Sequence, residues 1–314
     1  MQQKQIKVLF DNSVLKDNLI NLFEQNHILE LKNNRLLSFY VSDMTFHENI
    51  IDLSYIASKK DFYNRIVNFL FKYSDYNFFK GVDNIILYEL SNENFEDNYY
   101  LYSKEQITTF FNDFKNNYAN WDSIKEIHRN KIKSNSEIYE ESIKILVEEE
   151  NEIKNLKSNV QINNYIEKFV TKDLFLKEHS SKILNELRVL PSKERLIKFL
   201  NYKMDSMVIG QFIIKYKTIF KNIIKLYLQD TYLKKYMEIY KYYLTFHYED
   251  RTKCFDKSFN DNDYICCMKN LDILLANDSH YMKHCFEDIY KNTNKKILNP
   301  DDFIEYLKDI KYIK

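Results

Sequence analysis

The chain of 314 residues contains only Gly81 and Gly210, and only two prolines. A phosphate-binding P-loop or a dinucleotide fingerprint needs clustered glycines so that backbone can approach a phosphate closely, so both nucleotide-binding classes are excluded. The scarcity of both helix-breaking residues favours long helices. Lys+Arg and Asp+Glu both total 46, so there is no whole-molecule field, and any affinity for nucleic acid has to come from a local basic patch. Four cysteines, Cys254, Cys266, Cys267 and Cys285, lack C-x-x-C spacing and read as reduced thiols in a cytosolic core rather than as a zinc site or disulfides. There is no uncharged apolar stretch of about 20 residues and no signal-peptide pattern at the N-terminus, so a soluble, cytoplasmic protein with no membrane contact is expected. What is abundant is Asn, Lys, Ile, Tyr and Phe. An AT-rich genome enriches the same residues, so the 26 tyrosines and 23 phenylalanines carry no functional argument by number alone.

The opening "IKVLFDNSVL" is an apolar run, Ile6 to Phe10, that stops at Asp11-Asn12-Ser13 before a helical pattern of Leu15, Leu19, Leu22 and Phe23. "LLSFYVSDMTFHENIIDL" repeats the arrangement, with a strand from Leu36 to Val41, Ser42 as N-cap and a helix face of Phe46, Ile50 and Leu53. From Asp61 to Lys253 the text is mostly helical, with one possible strand at "NIILYEL", a helix after Pro191-Ser192, and a long amphipathic helix over "QFIIKYKTIFKNIIKLYL". The end returns to the opening style. "NDNDYICCMKN" reads as a capped helix, "LDILLA" as a strand, "DSHYMKHCFEDIY" as a helix, "KKIL" as a last strand, and "NPDDFIEYL" as a helix capped by Asn299 with Pro300 in its first turn. Strands alternating with helices at both ends imply a parallel sheet, which requires the two ends to meet in space. The expectation is an α/β domain from residues 1–60 and 255–314, interrupted by a helical insertion over 61–254.

In open parallel sheets, ligands bind beyond the carboxyl ends of the strands. This reading puts Asp11 and Asp278 directly at strand ends, with Glu48 and Asp263 on helices that lean over the same edge. Each has a plainer role: Asp263 and Asp278 as helix caps, Asp11 as a turn former, Glu48 as a solvated side chain. Four converging carboxylates would raise one another's pKa, a conflict that a divalent cation relieves. Hard oxygen ligands select Mg²⁺ or Mn²⁺, and such a site suits phosphodiester hydrolysis.

These stretches resemble the PIN and PIN-like nuclease family. "VLFDNSVL" is similar to the family's first strand and its Asp-Thr/Asn-Ser/Asn signature, with Asp11 as first acid. "YVSDMTFHENI" is similar to the segment carrying the family's Glu, at Glu48. "NDNDYICCMKNLDILLANDSHYM" is similar to an Asp-headed helix followed by an apolar strand and T-N-D-x-x-F, giving Asp263, or alternatively Asp261, and Asp278. "KKILNPDDFIEYL" is similar to the family's usual ending. Ala276 stands where the family has Thr or Ser and Tyr281 where it has Phe, and the middle of the chain is unmatched. The resemblance implies a metal-dependent endoribonuclease, a hydrolase of single-stranded RNA using Mg²⁺ or Mn²⁺ held by Asp11, Glu48, Asp263 and Asp278. A DNA nuclease on the same fold and a non-catalytic helical scaffold or partner-binding protein with a degenerate nuclease fold are the alternatives.

Between Arg195 and Lys253 there are 12 Lys+Arg against 5 Asp+Glu, interleaved with nine tyrosines. Lys217, Lys221 and Lys225, spaced by four, are candidate RNA contacts, with tyrosines available to stack on bases; tyrosines packed inward beneath solvated lysines is the alternative. Residues 89–150 carry 14 acids against 7 bases and would repel nucleic acid, pairing instead with the basic helices or a basic partner. A cytotoxic ribonuclease would also need an inhibitor protein. His280 and His284, four apart, have a spacing zinc could use but lack a second close ligand pair.

Overall fold

The structure is a computed structural model that describes residues 4–45, 48, 60–109, 121–250, 256–277 and 280–313. In chain order its elements are β1 (Ile6–Phe10), α1 (Asp17–Gln25), α2 (Ile28–Asn33), β2 (Leu37–Val41), α3 (Lys60–Ser74), α4 (Val82–Ser91), α5 (Trp121–Lys154), α6 (Asn159–Lys172), α7 (Ser180–Arg188), α8 (Ser192–Tyr216), α9 (Phe220–Tyr227), α10 (Tyr232–Asp250), α11 (Asp256–Cys267), β3 (Ile273–Leu275), α12 (His280–Tyr290), β4 (Lys296–Leu298) and α13 (Pro300–Asp309). It is a mixed α/β chain, mostly helical, with a four-stranded parallel sheet in the order β2-β1-β3-β4.

The chain divides into two compact units, Met1–Lys133 with Asp256–Lys314, and Ser134–Phe255. The boundary expected near residue 60 therefore falls at residue 133, because α3 packs into the core of the sheet. Ile66, Phe69, Leu70 and Tyr73 of α3 belong to the same core as Val8 and Phe10. "NIILYEL" is helical, within α4, and not a strand.

In the sheet unit, Val8, Leu9 and Phe10 are all buried, as are Ile273, Leu274 and Leu275. Consecutive burial is what a central parallel strand covered on both faces requires. On one face the rings of Phe10, Phe23, Phe39, Phe69, Tyr73 and Phe303 form a cluster with centroids 4.6 to 6.0 Å apart. Phe23 and Phe303 come from opposite ends of the sequence, and their contact at 6.0 Å is part of what closes the domain. The C-terminal helix is set as the sequence indicates, with Asn299 Oδ1 accepting from Asp302 N at 2.9 Å and Pro300 in the first turn.

The helical unit has its own core, including Ile153, Ile166, Val170, Ile183, Leu187 and Phe199. The long amphipathic helix expected through Tyr227 is broken. α8 ends at Lys217, which adopts a left-handed conformation (φ 49°), and α9 begins after Ile219 in extended backbone. Lys217 thus stands at the break, while Lys221 and Lys225 lie one turn apart on the exposed side of α9. Tyr216, Tyr232, Tyr236, Tyr240 and Tyr243 are buried, so for these five the reading of tyrosines packed inward holds and they are core residues, unavailable to stack on bases. Several of the basic residues are already paired, Lys203 with Glu149, Lys241 with Asp205 and Lys235 with Glu238.

Candidate acidic site at the sheet edge

The strand order places β1 in the middle, with β2 on one side and β3 on the other, so the chain direction of growth reverses between β1 and β3. That is the position at which a crevice opens beyond the carboxyl ends of parallel strands. Asp11 is the first residue past β1, and its N–H donates to Leu275 O at 3.0 Å, continuing the ladder to the end of β3. Its side chain is buried. Oδ2 accepts from Ser13 N at 3.0 Å and from the Ser13 hydroxyl, which makes Asp11 the cap of the short 3₁₀ turn Asn12–Val14. Ser13 also ties the two ends of the sequence together: its Oγ accepts from Asn277 N and its carbonyl from Asn277 Nδ2, both at 2.9 Å. Burial pushes the Asp11 carboxyl above the usual carboxylate range, although the hydrogen bonds from Ser13 and Asn12 oppose the rise.

The segment after β2 approaches from the other side. Ser42 Oγ accepts from Met44 N at 3.2 Å, the N-cap expected of it. Glu48, half-buried, meets helix α11 with both carboxylate oxygens: Tyr264 Oη donates to Oε2 at 2.8 Å and Asn260 Nδ2 donates to Oε1 at 3.0 Å. Thr45 Oγ1 lies 3.3 Å from the Tyr264 hydroxyl. Burial, then the negative charges of Glu48 and Asp11, push that hydroxyl well above the ordinary phenol range. Tyr264 thus donates directly to Glu48, while Asp11 acts on it through its charge without a hydrogen bond.

One turn further along α11, burial and then the charges of Asp263 and Asp43 push the Cys267 thiol well up, against a hydrogen bond from Ser42. Asp263 is not at the start of its helix, as expected, because α11 begins at Asp256; it sits within the helix on the side of Cys267. Asp261, the alternative third acid, acts instead on Cys285. Residues 261 and 263 are two apart, so a helix turns them about 200° away from each other. Asp278 lies outside the described residues. Among the described residues no group of three or more His, Cys, Asp or Glu side chains is arranged to hold a metal ion. His280 and His284 pack edge to face, with centroids 4.4 Å apart and ring planes at 75°.

Three residues that the sequence reading passed over take part. Asn260 and Tyr264 are four apart, one helical turn, in a stretch scanned for acids only. Asp43 follows the Ser42 cap directly. Its Oδ1 accepts from Tyr102 Oη at 3.1 Å, and its Oδ2 lies 3.0 Å from where a Cβ on Gly81 would be, so glycine at 81 lets this carboxylate reach the start of α4. A separate cavity of about 490 Å³ belongs wholly to the helical unit, with Leu176, Ile183, Val208 and Ile209 in its wall and the Asp205–Lys241 ion pair, 2.6 Å, among its polar residues.

No helix among the described residues is long and apolar enough to cross a membrane. Compared with family models, curated proteins and solved structures, the chain finds no match.

Proposed function

We propose that the chain is a PIN-like, Mg²⁺- or Mn²⁺-dependent endoribonuclease acting on single-stranded RNA, with Asp11 and Glu48 at the centre of its site and Asp263 and Asp278 completing it. What supports this reading is that Asp11 directly follows β1 at the carboxyl edge of a parallel sheet, and that Glu48, from the segment after β2, accepts from the Tyr264 hydroxyl of α11, a group whose pKa burial and then the charges of both acids raise. Asp11 is buried and its carboxyl is pushed up by that burial, and a hard divalent cation is a counter-charge that carboxylate oxygens suit. The chemistry such a cation supplies is polarisation of the phosphodiester and activation of water. The chain's own contribution is to keep Asp11 dry and fixed by Ser13, and to hold Glu48 by two donors. The exposed Lys221 and Lys225 are candidates for phosphate contact.

Asp11→Asn and Asp278→Asn are each expected to abolish Mg²⁺- or Mn²⁺-dependent cleavage of a labelled single-stranded RNA while leaving the circular-dichroism spectrum unchanged. Full activity in both variants sinks the reading. A panel containing DNA of the same sequence separates ribonuclease from deoxyribonuclease.

A second reading, a non-catalytic scaffold or partner-binding protein on a degenerate nuclease fold, is favoured by one observation. The described acids do not form a three-ligand group, and both Glu48 oxygens already accept from protein donors. It requires that wild-type protein cleave nothing in either cation, and that Asp11→Asn be neutral or stabilising, since the variant removes a buried charge.

A further inference from the structure

Independently of the acids at the sheet edge, we infer that the cavity of the helical unit is a binding site for an amphipathic monocarboxylate of the fatty-acid type, with its apolar chain inside and its carboxylate at the mouth. The walls come from four helices: Ile183 on α7, Val208 and Ile209 on α8, Ile224 on α9 and Met237 on α10, with Leu176 from the segment before α7. The break at Lys217 lets α9 pack against both α8 and α10, which closes one wall. The volume of about 490 Å³ lies in the range of small-molecule sites, about 300–1,000 Å³, and far exceeds the voids that a packed interior normally leaves.

The polar residues lining the cavity choose the head group. Three of them are acids, and each is already matched: Asp205 by Lys241 at 2.6 Å, Glu238 by Lys235 at 2.6 Å, and Glu186 by Lys198 at 3.0 Å and the Tyr202 hydroxyl at 2.6 Å. What remains is donors. Lys182, exposed in the first turn of α7, has no acid within ion-pair distance among the described residues; Glu186, one turn further on, feels its charge but is already held by Lys198 and Tyr202. The side chain of His179, directly before α7, makes no hydrogen bond or ion pair among the described residues. The same holds for the Tyr227 hydroxyl, which burial and then the charges of Asp205 and Glu238 push above the ordinary phenol range, so it stays protonated and able to donate. Helix α7 has no acid in its first turn and no side-chain cap, so the positive end of its dipole adds to the charge of Lys182. A cationic head would meet only acids that already have partners, and would sit beside a like charge. A neutral head would leave Lys182 without a counter-charge. A carboxylate accepts from these donors while its chain covers the apolar wall.

The test is calorimetric titration of the full-length protein at neutral pH with dodecanoate, dodecylammonium and dodecanol, each below its micelle concentration, with the melting temperature recorded in the presence and absence of each. Wild type is expected to bind one dodecanoate per chain, to melt higher with it, and to prefer it over the other two heads by at least about fivefold. Lys182→Met keeps the length of the side chain and removes its charge. It should weaken dodecanoate about fivefold, the scale of an exposed ion pair, and leave dodecanol unchanged. Ile224→Trp, at a half-buried position in the wall, should fill the cavity and abolish binding of every head. Should that variant fail to fold, Lys182→Met, at an exposed position, carries the test. The proposal is overturned if wild type binds no dodecanoate or takes dodecylammonium or dodecanol as tightly. It is equally overturned if dodecanoate affinity is unchanged in Lys182→Met or in folded Ile224→Trp.

Discussion

The candidate site exists only if the two ends of the sequence form one domain, and the pair Phe23–Phe303 tests that directly. Both rings are essentially without solvent exposure and their centroids are 6.0 Å apart at an interplanar angle of 30°. Replacing either by Ala would cost about 3–5 kcal/mol, a large share of a total stability of about 5–15, so the double variant would unfold. Phe→Leu at each site is the usable perturbation, expected to cost about 1–2 kcal/mol singly, within the range usual for point substitutions. An aromatic pair adds about 0.5–1.5 kcal/mol beyond burial, and this tilted pair at the longer end of the distance range should give a coupling of about 0.5–1 kcal/mol. A global melt would mix the two units, so the assay is hydrogen exchange of peptides covering β1 and β3 in the four proteins of the cycle. A coupling of that size alters the exchange rate of the double variant by about two- to five-fold from the product of the singles. Additivity to within about 0.3 kcal/mol would mean that the rings do not touch, and the joining of residues 1–133 with 256–314 would be refuted.

Burial pushes the Cys285 thiol up to about 12, against a hydrogen bond from Tyr281, so it should resist iodoacetamide at pH 8 in the native protein and react once urea is added; native labelling at the rate of a free thiol would contradict its burial. Because the folded value lies above the ordinary 9.0, this thiol favours the fold less as pH climbs from about 9 towards 12, and Cys285→Ala should flatten that part of the stability profile. Glu186 is held below the usual carboxylate range, first by the Tyr202 hydroxyl at 2.6 Å and then by Lys198 at 3.0 Å. A lowered carboxyl favours the fold above its unfolded value and ceases to do so as pH falls through the folded one. Tyr202→Phe should therefore move the Glu186 titration, followed by carboxyl-carbon NMR, back towards the ordinary range; an unmoved titration would assign the effect to Lys198 alone.

Much of the sheet unit is legible in the residues themselves. The apolar runs Ile6–Phe10 and Ile273–Leu275 announce buried parallel strands because no polar face alternates through them, and Ser42 and Asn299 announce the starts of helices because their side chains can accept from free N–H groups. Position-specific backbone choices are less visible. Nothing in "IIKYKTIFK" marks Lys217 as left-handed, since a lysine has no intrinsic preference for that region, and the helix reads as continuous until tertiary packing ends it. "NIILYEL" is ambiguous for a related reason: a short apolar run fits a strand or a buried helix equally well by pattern. The acids divide in the same way. Asp11 follows from a strand end, a local property. That Glu48 would be gripped by residues 260 and 264, more than 200 positions away, and that Asp43 would join Asp263 beside Cys267, depends on how α11 crosses the sheet edge. Hydrogen bonds and Coulomb interactions act over a few ångströms of space whatever the separation along the chain, so the sequence could nominate the carboxylates while only the packed structure selected their partners.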